Sequence, residues 1–186
     1  YGFYDTNATW LWRPNAHHRV WVDGYWGQDR ATFRQDEYQA KVGLRWGNHL
    51  VAVHWRYDAD ALSASCTLYN TRYANRLQLS QDDMQFRLPS SICDIGWRGS
   101  VQWRGLRGGA EAVWPRLQPQ EPEAEEVYNQ SFTPQPRQHT QEYSIHADYP
   151  WALSPSWQLT PGVRASAYVD PSHQVHAAAD PSLLLS

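Results

Sequence analysis

Apolar and polar residues alternate with a period of two along most of this chain. Residues 51–57 carry Val51, Val53, Trp55 and Tyr57 at odd positions, with Ala52, His54 and Arg56 between them. The pattern returns as Trp97, Val101 and Trp103 against Arg98, Ser100, Gln102 and Arg104. It appears again as Tyr143, Ile145, Ala147 and Tyr149 against Glu142, Ser144, His146 and Asp148. Successive side chains of a strand point to opposite faces, so each segment predicts a β-strand with one apolar and one polar face. Helical periodicity is weak throughout, and clusters of turn residues punctuate the alternation. Four hairpins follow, over 3–12 and 19–27, 44–57 and 62–73, 96–104 and 109–114, and 140–151 and 157–168, with a last strand near Val175. The reading is all-β, with about nine strands.

The connections alternate in length. Those at Pro14-Asn15, Asp58-Ala59-Asp60, Gly105-Leu106-Arg107-Gly108 and Leu153-Ser154-Pro155-Ser156 are short, whereas the polar stretches 28–42, 74–91 and 115–138 read as loops. The last holds five prolines with Glu121, Glu123, Glu125 and Glu126, a composition suited to solvent. Short turns at one end and long loops at the other predict an antiparallel up-and-down transmembrane β-barrel segment of about 8–9 strands. A soluble sheet with one wet face alternates in the same way, so the large rings discriminate. Trp12, Tyr57, Trp103, Trp151 and Trp157 all fall beside the short turns, where an interfacial girdle sits. The rival is a secreted carbohydrate-binding β-sandwich that stacks surface Trp and Tyr on sugars.

Composition sharpens this picture. Eleven Trp and 11 Tyr stand beside only 4 Phe and 1 Met, so rings with a polar handle dominate, as they do where wet and apolar surroundings meet. No apolar run approaches the ~18 residues of a membrane helix, and the mean hydropathy is -0.71. This excludes helical spans but not a barrel, in which every second residue meets lipid. A net charge of -3 provides no basic field for nucleic acid. All basic residues except Lys41 are Arg, which suits fixed bidentate or ring-stacked contacts. Cys66 and Cys93 are too few for a disulfide framework and lack zinc spacing, leaving one disulfide or two free thiols. No charged-then-apolar signal segment precedes Tyr1 and the chain stops in Leu183, Leu184, Leu185 and Ser186, so both ends are read as cuts through a longer protein.

Phe3-Tyr4-Asp5-Thr6-Asn7 leads to Trp12-Arg13-Pro14, and Arg19-Val20-Trp21 climbs to Gly24-Tyr25-Trp26-Gly27. This hairpin resembles those of TonB-dependent outer-membrane receptors. So do Leu44-Arg45-Trp46-Gly47-Asn48 with Thr67-Leu68-Tyr69-Asn70-Thr71-Arg72-Tyr73, and Pro161-Gly162-Val163-Arg164-Ala165-Ser166-Ala167-Tyr168 with Asp180-Pro181-Ser182. The resemblance implies a barrel of about 22 strands around a plug, in the bacterial outer membrane. It implies uptake of a scarce nutrient, whether metal chelate, vitamin, glycan or peptide, powered through TonB. On that reading residues 1–186 are part of the barrel, surrounded by outer-membrane lipid, and 115–138 is a long outer loop. The plug, the TonB that it contacts and the remaining strands lie outside this segment.

Catalytic chemistry is not legible. His49 and His54 differ by an odd number and point to opposite faces, and His17-His18 fall in a turn. Asp82, Asp83 and Asp94 lack the spacing and glycine of a calcium loop, so no metal site is expected. The glycines of 105–109 precede no Lys-Ser or Lys-Thr, and neither Gly-x-Ser-x-Gly nor His-Glu-x-x-His occurs. The expectation is a binding protein and not an enzyme, with no cofactor. The ligand-binding candidates are Arg45, His54, Arg56, Arg98 and Arg164, read as lumen-facing, and the rim aromatics Trp21, Tyr25 and Trp46, whose faces suit sugar or chelate rings.

Overall fold

Each long strand pairs antiparallel with the next long strand along the chain. The computed structural model describes residues 1–35, 40–81, 84–120, 123–124 and 136–185, which form one antiparallel sheet of 12 strands. These are β1 (Gly2–Trp12), β2 (His18–Gln35), β3 (Ala40–Ala59), β4 (Leu62–Gln81), β5 (Met84–Trp103), β6 (Leu106–Gln118), β7 (Glu123–Ala124), β8 (Gln138–His139), β9 (Gln141–Asp148), β10 (Trp151–Ser154), β11 (Trp157–Val169) and β12 (Val175–Leu185). β8, β9 and β10 are one path broken only locally. Thr140 N–H donates to the Pro115 carbonyl at 3.2 Å and Tyr149 N–H to that of Pro161 at 3.0 Å, carrying the ladder across both breaks. β7 likewise continues the pairing of β6 with β5 after a one-residue slip. Nine through-running strands result, in the up-and-down order that the alternation predicts; the sheet is open.

Turn chemistry fits the short connections. Arg104 and Gly105 both have positive φ, 47° and 91°, as a two-residue type I′ hairpin requires. β6 therefore begins at Leu106, and the turn read over 105–108 is tighter than expected. Asn15 Oδ1 accepts the backbone N–H of His17 and of His18, each at 3.0 Å. At the opposite end, Asp170 Oδ1 accepts the N–H of Ser172 and of Gln174. These bonds, the one from Gln174 foremost, hold its carboxyl below the usual carboxylate range.

The expected loops at 28–42 and 74–91 are largely strand. β2 runs to Gln35 and β3 starts at Ala40, while β4 runs to Gln81 and β5 starts at Met84. Strands of 18 to 20 residues reach ~60–70 Å at about 3.4 Å per residue, close to twice a membrane-crossing strand. In their upper halves the alternation reverses phase: Phe33, Val42, Leu44, Leu77, Leu79, Phe86 and Leu88 fall on one face and Arg30, Lys41, Arg45, Arg76, Gln78 and Arg87 on the other, with the backbone ladder intact. Of the loop read at 115–138, β6 takes 115–118, β7 takes Glu123–Ala124 and β8 begins at Gln138, and 121–122 and 125–135 lie outside the described residues.

The sheet has no core. Among the described residues only Gly27, Ala31, Ala52, Gly96 and Thr160 are buried, and no side chain is wholly so. The two faces divide the chemistry instead. Trp10, Val22, Val53, Leu68, Trp97 and Ala112 are successive register partners on one face, called here the outward face. Trp12, Tyr57, Trp103, Trp151 and Trp157 share that face at the short-turn end, and Trp26 and Trp114 mark its upper limit. From Tyr57 to His49 the apolar stretch of β3 is ~27 Å along the strand, or about 20 Å in height at a 40° tilt, close to the band of an outer-membrane barrel.

Both cysteines are free. Cys66 stands opposite Gly99 and Cys93 opposite Arg72, so six ladder positions, ~20 Å, separate them, beyond the reach of a disulfide. Gel mobility of the unfolded protein should therefore be identical with and without reductant; a shift on reduction would mean that the β4–β5 register is wrong.

Candidate ligand-binding face

The polar face is built from rows of register partners. One row, ~24 Å long at about 4.8 Å per strand, runs Trp21, His54, Thr67, Arg98, Glu111, Ser144 across β2, β3, β4, β5, β6 and β9. Trp21 stacks on His54 with ring centres 4.7 Å apart and planes at 8°. His54 Nδ1 lies 3.0 Å from the Thr67 hydroxyl and Nε2 lies 3.1 Å from the Asp23 carboxylate. Asp23 in turn accepts the Thr9 hydroxyl at 2.6 Å. A neutral ring satisfies this set by donating from Nε2 and accepting at Nδ1. Further along, Arg98 pairs with Glu111 at 2.7 Å, yet its side chain is 66% exposed and keeps donors for another partner.

The next row towards the short turns holds Arg56, Ser65, Ser100, Gly109, His146 and Arg164. Arg56 is paired with Asp58 at 2.8 Å, and Arg164 donates to the Ser144 hydroxyl at 3.3 Å. Below them Arg107 pairs with Asp148. Two hollows open between these groups. One, of about 460 Å3, is lined by Arg56, Ser65, Ser100, Arg107, His146 and Asp148. The other, of about 450 Å3, is lined by Glu111, Glu142, Ser144, Arg164, Tyr168 and His176. Both are of small-molecule size. Higher on the same face, Asp94 Oδ1 is buried without a hydrogen-bond partner among the described residues, an acceptor available to a donor from outside the sheet.

Seven of the eight candidates read from the sequence share this face. Trp21, Tyr25 and Trp46 climb it at intervals of four residues, ~14 Å each, because Trp21 pairs with His54, Tyr25 with Leu50, and Trp46 lies four residues beyond Leu50. His54 and Arg98 lie in the Trp21 row, and Arg56 and Arg164 stand at separate ends of the next. Arg45 is the exception. It pairs with Arg30 and Arg76 on the outward face, as adjacency to Trp46 demands. Its parity with Val51 and Val53 is the sequence signal for that placement. The alternation of their own strands places Glu111, His146 and Asp148 on the polar face, but no local signal pairs Arg107 with Asp148, which meet across 41 residues. His49 lies outward against Trp26, so it and His54 are on opposite faces. Among the described residues no three His, Cys, Asp or Glu converge as ligands for an ion.

No protein-family model matches this chain, and no curated protein sequence does. Solved structures do resemble it in fold. The copper transporter OprC superimposes with a TM-score of 0.66 at 11% identity, over 98% of this chain and 33% of its own. BauA, the ferric preacinetobactin receptor from Acinetobacter baumannii, gives 0.56 at 12% identity, over 98% and 36%. The siderophore receptor PiuA from the same organism gives 0.53 at 11% identity, over 98% and 38%. The chain thus spans about a third of the length of these proteins. At such identities the likeness is one of fold, that of an antiparallel sheet of the kind that forms outer-membrane barrels.

Proposed function

We propose that this chain is a stretch of barrel wall from an outer-membrane receptor that takes up a scarce small nutrient in a TonB-dependent manner, and that it is not an enzyme. One observation carries the reading: a single sheet with no buried core bears an apolar band about 20 Å tall on one face and ion-paired polar rows on the other. Such a sheet is stable when lipid covers the first face and water, ligand or a plug meets the second. A carbohydrate-binding sandwich would need a second sheet over one face, and all described strands belong to one. BauA, PiuA and OprC are a ferric preacinetobactin receptor, a siderophore receptor and a copper transporter, which supports a metal chelate over a vitamin, glycan or peptide.

On this reading the polar face guides the ligand by exchange of partners. Arg98 and Arg164 offer unspent donors, Asp94 an acceptor, and the rings of Trp46, Tyr25 and Trp21 form steps for stacking on the way down. The energy enters through the plug, and the plug, not this segment, contacts TonB. Cells carrying the full-length protein should accumulate a labelled ferric chelate only while TonB is present; accumulation undiminished without TonB would overturn the reading.

The orientation is separately testable. β6 leaves the apolar band upward and β8 begins the return, so the end of the sheet past Gln118 and Gln138 belongs outside the cell. An epitope inserted there should stain intact cells. Staining only after permeabilisation would invert the two ends.

A further inference from the structure

Past the row of Trp26, His49 and Arg72 the outward face changes character. The next row places Gly47, Ala74 and Ser91 between Gln28 and Gln118, and the one after it aligns Arg30, Arg45 and Arg76 as direct register partners. Small side chains between two rows of long ones leave a trough of about 570 Å3. His49 and Arg72 wall it on the apolar side, and Arg45 and Arg76 on the far side.

Among the described residues the positive charge of the trough is unbalanced. Like charges directly opposite each other on neighbouring strands are destabilising, and here three arginines stand abreast. Every Asp and Glu of β1–β6 and β9–β12 falls by parity on the polar face, although the chain as a whole is acidic. Glu123 of β7 is the register partner of Arg87, away from the trough. Arg45 is held in place by Gln28 Oε1, which accepts from it at 2.9 Å and from the Tyr4 hydroxyl at 3.0 Å. Arg72 and Arg76 make no hydrogen bond or ion pair with another described residue. Their planar forks are free for a multiply charged oxyanion, for which phosphate is the matching chemistry.

Depth selects the source of that phosphate. The floor of the trough lies two residues above Trp26 and its far wall four, or ~5 and ~10 Å in height on tilted strands, within and just above a headgroup layer some 5–8 Å thick. We infer that the trough binds the phosphorylated head group of an outer-leaflet lipid, whose acyl chains descend along the apolar band beneath. The inference rests on the reading that this band borders the membrane.

Native mass spectrometry of the full-length protein in detergent tests it, with bisphosphorylated lipid A, its dephosphorylated form and inorganic phosphate as probes. The variant R45Q/R72Q/R76Q should bind lipid A about a hundredfold more weakly than wild type, and R76Q alone about fivefold. Dephosphorylated lipid A should bind wild type as weakly as lipid A binds the triple variant. Unchanged binding by the triple variant overturns the inference, and displacement of lipid A by inorganic phosphate does so by making this a site for the free ion. Loss of a dimer in the triple variant with lipid A binding intact would assign the face to a second copy instead. Lipids brominated on their chains separate this failure from that of the membrane reading. If they quench the outward Trp97 while the triple variant binds normally, only the headgroup site is wrong; if they do not quench it, the membrane reading falls as well.

Discussion

Val53→Arg should cost the folded protein about 2–4 kcal/mol in a lipid bilayer, whereas His54→Arg, one residue on, should cost no more than about 1 kcal/mol. Val53 lies at mid-height of the apolar band between its partners Val22 and Leu68, and 43% of it is exposed on the outward face. A guanidinium there must leave water for hydrocarbon or drag water inward. His54 points to the polar face, where an arginine can keep the contact with Asp23 at the loss of the Trp21 stack. Denaturant unfolding in vesicles, with heat-modifiable gel migration as the folding check, measures both. Equal costs would mean that lipid does not distinguish the two faces.

Gly96→Val should destabilise by about 1–3 kcal/mol although valine is the better strand former. The Tyr69 ring lies across Gly96, and a Cβ there would stand 2.1 Å from a ring carbon. The ring must leave a half-buried seat on the polar face to make room. The penalty should vanish in a Tyr69→Ala background, where valine meets no ring. Gly24→Val provides the contrast: at that outward position the nearest atom to an added Cβ is a carbonyl oxygen 3.9 Å away, so the change should be neutral or stabilising. Additive costs for Gly96→Val and Tyr69→Ala would show that the ring does not occupy this seat.

What could be read from the sequence follows from which residues lipid constrains. Between Val51 and Tyr57 an apolar neighbour forces strict alternation, so strand, phase and girdle were legible there, and likewise around Trp97 and Ile145. Above Trp26 the phase reverses, with Val42, Leu44, Leu77 and Leu79 on the face that is polar lower down, so the pattern of the lower half no longer extends the strands. In the stretch from Gln28 to Gln35 only Ala31 and Phe33 are apolar, too few to signal a strand, so its ladder with β3 reads as loop although every residue is paired. Arg45 went to the wrong face for a related reason: its parity follows from Val51, but only if the strand is known to run unbroken through Gly47. The row of Arg98 and Glu111 was half legible, since each residue's face follows from its own strand. Their pairing, like that of Arg107 with Asp148, depends on register set by turns and by the span between β6 and β8, which no local pattern encodes. The Arg104-Gly105 turn was misplaced by the extra glycines beside it, which offered several positions tolerant of positive φ.

The central claim is that odd residues of β3 face lipid and even ones face water within the apolar band. Single cysteines at positions 51 to 56, in a full-length protein bearing Cys66→Ser and Cys93→Ser and reconstituted in vesicles, can carry spin labels that report collisions with oxygen and with a water-soluble nickel chelate. The account requires a period of two, with oxygen favoured at 51, 53 and 55 and the nickel chelate at 52, 54 and 56. Accessibility without that period, or with its phase reversed, would contradict it.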